Sequence, residues 1–506
     1  MSHLARSTLL IAFFFGVEKI LGFIRQVLIA RTFGLSSELD AFNAANNIPD
    51  LIFALISGGA LAIAFIPVLS ECLQKDGKPA AWDLFSRIAN LVFLVTAAIS
   101  IIVAILAPQL VRGGFGIAPG FTPAQQNLVA NLMRLNLIAT LLFSLGGLVI
   151  AGLQANQHFL LPAIAPSMYD LGALTGVLIL APQHGYQIGS LTLPAFGMGV
   201  QGLVYGIILG AALFLIIQIP GLIRYQFRWT PAINLHHPGV QQVLHLLAPR
   251  ILTVFCIQMV FLAQDNIASR LAIGTVSALV YGWLFMQVPE TLIGTALGTA
   301  LLPTISENIA RQEQDSFCHS INAAVRVILA LTLPTAAILA LIIRPVIGIL
   351  EFDAAGTEIV VWTTRAYLLG LMGHSLMEVA ARAFYAQQDA RTPLIAALAT
   401  TTAFIVLAAL LAPRLGAPGF GLANAIAYTC QAIVLLYLIS RRFPGLFALK
   451  GTLKRVIPAA GLAAFLSYGL MRLSLPGLPL AILSAAISAM LVLLFIWQEV
   501  KLLVKL

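Results

Sequence analysis

Glu18, Gly22 and Arg25 are spaced i, i+4 and i+7 in an otherwise apolar run, with Lys19 and Gln26 beside them. That spacing gathers all the polarity on one face of a helix. An ionised side chain in the middle of a bilayer is costly unless it is paired or hydrated, so this face is expected to point inward. Asp40 opens the next apolar run, and a proline followed by an acid occurs twice, as Pro49 with Asp50 and Pro289 with Glu290. Arg134, Asp170, Arg250, Asp265, Arg365, His374, Glu378 and Arg382 also fall within apolar segments. As a set these residues imply a polar cavity inside a membrane-embedded bundle. Buried acids such as Glu18, Asp50 and Glu290 suit coupling to protons or sodium. A proline inside a span removes a backbone hydrogen bond, and the freed carbonyl must face protein or water. Pro49, Asp50, Pro289 and Glu290 are therefore read as gating or hinge residues.

The rest of the chain is the scaffold for these charges. Its 506 residues are 60% hydrophobic and 9% charged, with a mean hydropathy of +0.97. A soluble domain is nearer one quarter charged. Apolar runs of about 20 residues recur along the whole length, which gives about fourteen spans. The runs are too long and too evenly apolar for barrel strands. Met1 to Gly34 reads as a first span rather than a cleavable leader, because the run is long and charged. The reading is an all-α polytopic membrane protein.

Lysine and arginine gather in alternate loops, at Lys75, Lys78, Arg224, Arg228, Arg311, Arg441, Arg442, Lys450 and Lys454 among others. By the positive-inside rule both termini are cytoplasmic. The net charge of +9 reflects that asymmetry and contact with anionic lipid, not nucleic acid. Cys72, Cys256, Cys318 and Cys430 are isolated, so neither a disulfide nor a metal site is expected. No Walker loop, HExxH or GxSxG occurs, and His236 with His237 reads as a solvated loop pair. Enzymatic activity is not expected.

An internal repeat organises the spans. GALAIAFIPVLSE (59–71) and TALGTALLPTISE (295–307) share Ala60/Ala296, Leu61/Leu297, Ala64/Ala300, Pro67/Pro303, Ser70/Ser306 and Glu71/Glu307 without a gap. They lie on the second and eighth spans, so the repeat unit is six helices. An even number of spans keeps both copies in one orientation, giving two parallel pseudo-symmetric lobes followed by two C-terminal helices. The expected division is 1–222, 223–442 and 443–506. Gly202, Gly206 and Gly210 form a small-residue stripe, read as an intramolecular packing contact in a monomer.

LGFIRQVLIARTFG, LDAFNAANNIPDLIFALISGGALAIAFIPVLSE, LGTALLPTISE and AFYAQQDARTPL resemble the signature stretches of the MurJ (MviN) family, bacterial lipid II flippases of the multidrug/oligosaccharidyl-lipid/polysaccharide exporter superfamily. The resemblance extends over essentially the whole chain. It implies a V-shaped pair of lobes in the bacterial inner membrane, working by alternating access around a cationic cavity. That cavity would take the pyrophosphate and sugar-peptide head of lipid II, with the undecaprenyl tail left in the lipid. Guanidinium forks suit phosphate oxygens. On this resemblance Arg25 matches a first-span arginine and Asp40 the acid opening the second span, while Lys19 stands in for a further arginine. Glu18 belongs to the same face, Arg134 and Arg250 are candidate substitute cations, and Asp265 is the candidate ion site. Phe53 and Ala54 replace an arginine pair, Gly58 replaces a glutamate, and Trp283 with Leu284 stand where an aspartate and an arginine are expected. No cofactor is implied beyond a coupling ion, sodium or proton, or the membrane potential. The alternatives are export of another polyprenyl-linked glycan or of an amphiphilic cation, and a non-transporting envelope scaffold.

Overall fold

The computed structural model describes residues 3–56, 59–473 and 477–503 and divides into two compact units, Met1–Asn266 and Ile267–Leu506. The first unit begins with α1 (His3–Phe33), α2 (Ser37–Ile56), α3 (Gly59–Lys75), α4 (Gly77–Arg112) and α5 (Pro123–Ala155). It continues with α6 (Leu160–Thr175), which runs into a π-helical turn at Gly176–Leu180, and a small hairpin, β1 (Gln187–Ile188) with β2 (Leu191–Thr192). Then come α7 (Val200–Ile216), α8 (Ile219–Arg224) and α9 (Pro238–Ala268). The second unit holds α10 (Thr275–Glu290), a π turn at Thr291–Thr295, α11 (Ala296–Ala310) and α12 (Gln314–Ile347). These are followed by α13 (Ala354–Leu368), α14 (Leu371–Ala386), α15 (Arg391–Leu415), α16 (Ala417–Arg442), α17 (Lys450–Leu470) and α18 (Gly477–Leu503).

Among the described residues, nine helical segments are long and apolar enough on their own to cross a membrane. The other expected spans are α1, α2 with α3, α9, α13 with α14, and α17, where charges, prolines or breaks interrupt the apolar run. The chain is an all-α polytopic membrane protein.

Two kinds of corner recur along the chain, the first of them also at Gln226 and Gln312. The loop after α5 and the loop after α14 each turn on a glutamine in the left-handed region, Gln157 at φ 57° and Gln388 at φ 60°. The same bonds close both corners: His158 N–H donates to the Leu153 carbonyl at 2.9 Å, and Asp389 N–H to the Phe384 carbonyl at 3.0 Å. Gln157 and Gln388 are each followed five residues later by a proline in the next helix, Pro162 or Pro393. At the second corner the Thr392 backbone N–H and the Arg442 guanidinium hold the Asp389 carboxyl down at about 2. The second recurring corner opens α7 and α16. Gly199 (φ 58°, ψ −142°) and Gly416 (φ 67°, ψ −145°) sit in a region open only to glycine, and each accepts a 3.0 Å bond at its carbonyl from the glycine three residues on.

Helix contact in the first unit depends on missing side chains. Gly172 on α6 faces Gly210 on α7, Gly176 faces Gly206, and Gly202 lies against Ala181, so the stripe is an intramolecular contact. A Cβ at Gly206 would stand 2.5 Å from the Gly176 Cα, where only backbone could yield. Gly206→Ala is expected to destabilise the first unit by about 1–3 kcal/mol, the usual range for overpacking. The check is the monodisperse fraction of detergent-extracted protein against temperature, with Gly461→Ala, which meets nothing within 4 Å, as the neutral control.

Elsewhere the first unit packs around Phe65, Trp82 and Phe85, and the second around Phe317 and Phe384. In the second unit α17 and α18 dock on α12 through Val456, Ala459, Ala463, Ala481, Val492 and Ile496. A polar clasp closes that contact. Glu499 is fully buried and pairs with Arg326 at 3.4 Å and with Arg455, and Thr452 Oγ1 donates to its Oε1 at 3.2 Å. Sequence reasoning missed this clasp, because Arg326 and Glu499 lie far apart in the chain and match no motif.

Candidate functional site

The first unit places most of the predicted residues along α1, α2, α5 and α6. Arg25 does not stand free. Its Nη1 lies 3.0 Å from Asp170 Oδ1, its guanidinium stacks 4.8 Å above the Tyr169 ring, and the Asp170 side chain is only 3% exposed. Gly22, one turn before Arg25, leaves room for that carboxylate, whose oxygens would be 3.8 Å from a Cβ there. Lys19 is 60% exposed, pairs with Glu18 at 3.3 Å and lies over Phe15. The polar face of α1 thus divides into a buried pair deep in the unit and an open pair nearer its start.

Helix α2 carries a polar row, Asp40, Asn43, Asn46, Asn47 and Asp50, at helical spacing. Asp40 is buried in its first turn. Asn47 Nδ2 donates to Asp265 Oδ2 on α9, so the candidate ion-site acid is tied to α2. Asn136 Nδ2 on α5 donates to Asn46 Oδ1 at 2.6 Å. Pro49, Asp50 and Phe53 of α2 face a cavity of about 310 Å³, closed by Asn136, Thr140 and Phe143 of α5, Tyr169 of α6 and Phe214 of α7. The asparagines and Tyr169 were not singled out from sequence; the i, i+3 and i+4 spacing along α2 carried the signal.

Arg134 is directed elsewhere. Its Nε donates to the Ala104 carbonyl of α4 at 2.8 Å and its Nη1 to Asn131, roughly opposite the Asn136, Thr140 and Phe143 face of α5. The Arg250 side chain and Gly58 lie outside the described residues.

In the second unit Pro289 lies in the last turn of α10, and Glu290 ends the helix and leads into the π turn. Such insertions in a helix often mark functional segments. Glu290 accepts from Thr295 Oγ1 at 3.1 Å. Nearby, Arg382 pairs with Glu378 and donates to Thr299 at 3.2 Å, and its guanidinium lies in the space a Cβ at Gly298 would take. Trp283 meets His374 at 5.4 Å between ring centroids, and His374 stacks on Tyr428 at 4.0 Å while its Nε2 bonds Asn424 at 2.7 Å. An aromatic column therefore occupies the place where the resemblance led us to expect charge. Arg365 is bonded to the Ala340 carbonyl at 2.7 Å. Among the described residues no three His, Cys, Asp or Glu side chains gather as metal ligands.

The model of the family described as lipid II flippase MurJ matches residues 29–500. A Burkholderia cenocepacia protein named lipid II flippase MurJ is 29% identical over 450 residues, covering 87% of this chain and 84% of that one. A probable lipid II flippase MurJ of Vibrio cholerae is 24% identical over 436 residues, covering 84% of this chain and 81% of that one. Among solved structures, a lipid II flippase MurJ in an inward closed conformation superposes with a TM-score of 0.79 at 22% identity, over 96% of this chain and 99% of that one. An inward-facing multidrug MATE transporter of the MOP superfamily gives 0.68 at 14% identity, over 85% of this chain and 95% of that one. Both structures share the fold, and the family model runs through both compact units: the chain belongs to the lipid II flippase MurJ family, whose members are membrane transporters and not enzymes.

Proposed function

We propose that this chain carries lipid II across the bacterial inner membrane, moving its head from the cytoplasmic to the periplasmic leaflet by alternating access, as a monomer with both termini in the cytoplasm. The observation that carries this reading is the family match from residue 29 to 500, which involves both units rather than a shared fragment. The chemistry agrees with it. A charged head cannot cross hydrocarbon unaided, and α1 carries an open Lys19–Glu18 pair above the buried Arg25, with buried Asp40 on α2. Asp265, held by Asn47, is the proposed site of a coupling sodium ion or proton. Pro49 with Asp50 and Pro289 with Glu290 are the proposed bending points, and the π turn after Glu290 gives the second of these an irregular backbone.

Phe53 on the cavity wall and Trp283 in the aromatic column favour a second reading, in which the same machinery carries a different polyprenyl-linked or cationic amphiphile. Complementation separates the two. Expressed in a bacterium whose own lipid II flippase is switched off, the inserted chain is expected to restore growth, and a normally inserted Lys19→Ala, Arg25→Ala variant to lose that rescue. An inserted parent that fails to rescue would remove lipid II as the cargo. Rescue that survives neutralisation of the polar faces would point to a scaffold that transports nothing.

A further inference from the structure

The cavity of the first unit is built to accept positive charge. Its polar wall consists of Asp50, Asn46, Asn136 and Thr140, and its aromatic wall of Phe53, Phe143, Tyr169 and Phe214. Asp50 is accessible and makes no hydrogen bond or ion pair among the described residues. Asn136 is 5% exposed and uses its amide N–H on Asn46, which leaves its buried Oδ1 without a partner. Thr140 has its hydroxyl hydrogen committed to the Asn136 carbonyl at 3.2 Å. The polar wall therefore offers two acceptors, the Asp50 carboxylate and the Asn136 Oδ1, beside the amide N–H groups of Asn46. Among the described residues no cation lines the space: Arg25, beyond Tyr169, is already held by Asp170. A buried acceptor left unpaired is costly, so a guest that donates is favoured.

The shape and the rings select among cations. A volume of about 310 Å³ is far larger than a bare ion needs and falls at the lower end of organic ligand pockets. Phe143 is the centre of an aromatic cluster, 5.8 Å from Phe53, 5.3 Å from Tyr169 and 5.4 Å from Phe214 between centroids. Rings beside a carboxylate attract an ammonium group and also pack the methylenes that carry it. A bare sodium ion would gain little from that wall.

We propose that this cavity binds a primary ammonium group on an aliphatic arm, with Asp50 as counter-ion, Asn136 Oδ1 as acceptor and the Phe53 and Phe143 rings packing the arm. The site deepens the proposed function and rests on it in one respect: where the cargo is lipid II, the arm is an amine-bearing side chain of the head-group peptide. Phe53 then has a use of its own, since an arginine at that position would compete for Asp50.

The test uses the purified full chain in detergent, titrated with n-pentylammonium, with n-pentanol as the uncharged isostere, and with sodium, binding being read by calorimetry. The expected result is saturable pentylammonium binding, at least tenfold weaker in Asp50→Asn and in Asn136→Leu, with no saturable pentanol binding. Both variants must first elute as the parent does; Phe53→Leu, which keeps an apolar wall but removes the ring, is a third variant and is expected to weaken binding severalfold. Equal binding of pentanol, Asp50-dependent binding of sodium alone, or no pentylammonium binding would each overturn the proposal. Pentylammonium binding by a chain that fails complementation would keep the site and reject lipid II as cargo. Rescue without pentylammonium binding would do the reverse.

Discussion

Glu499→Ala is expected to lower the stability of the second unit by about 3 kcal/mol, toward the lower end of the cost of breaking a buried ion pair. The carboxylate is fully buried between Arg326 and Arg455, and its loss leaves two guanidiniums facing one another beside Thr452. Both arginine side chains are partly exposed, at 25% and 34%, so water relieves some of their repulsion and keeps the effect from being larger. For a unit of this size the thermal midpoint in detergent should fall by roughly 6–12 °C. Replacing all three charges together, Arg326→Met, Arg455→Met and Glu499→Leu, is expected to recover most of that loss, because an apolar substitute for a buried ion cluster is often neutral. A triple variant no more stable than Glu499→Ala would show that the clasp contributes by its charge and not by its shape. Limited proteolysis in the connection after α16 reports the same event locally, since α17 and α18 are what the clasp holds on α12.

The second large effect is expected at Arg25. Arg25→Ala leaves Asp170 buried and unpaired, so it should destabilise the first unit by about 3–5 kcal/mol and abolish transport as well. A single substitution therefore cannot tell a ligand from a brace. Arg25→Leu combined with Asp170→Leu removes both charges and is expected to return the thermal midpoint to near the parent while leaving growth rescue absent. Rescue by the double variant would reduce Arg25 to a neutraliser of Asp170. Arg25→Lys keeps the charge but loses the flat guanidinium stacked on Tyr169, and should retain partial stability with weakened transport.

Sequence patterning reached the fold class because the bilayer leaves few options for an apolar chain with these run lengths. The repeat was legible at GALAIAFIPVLSE and TALGTALLPTISE, where the residues themselves match. It was invisible at the glutamine and glycine corners. There only a glutamine with a proline five residues on, or two glycines three apart, recurs, and the β1–β2 loop lengthens only the first segment, which shifts the register. At the site, Arg25 stood out because a charge in an apolar helix is conspicuous. Its partner could not be chosen from sequence, since Asp170 and Asp50 were equally acidic and only the packing of α1 on α6 decides between them. The asparagines of α2 and α5 were overlooked for the opposite reason: an amide is unremarkable until burial leaves one of its atoms unpaired.

Gln157, Gln388, Gly199 and Gly416 fix points at which the chain reverses direction. Most side chains are excluded from these backbone angles, which cost about 1–2 kcal/mol where they are forced. A β-branched residue at any of the four would strain the turn, whereas at a lipid-facing position one apolar residue serves as well as another. The places where the chain reverses are thus more narrowly specified by backbone chemistry than the helix surfaces that face lipid.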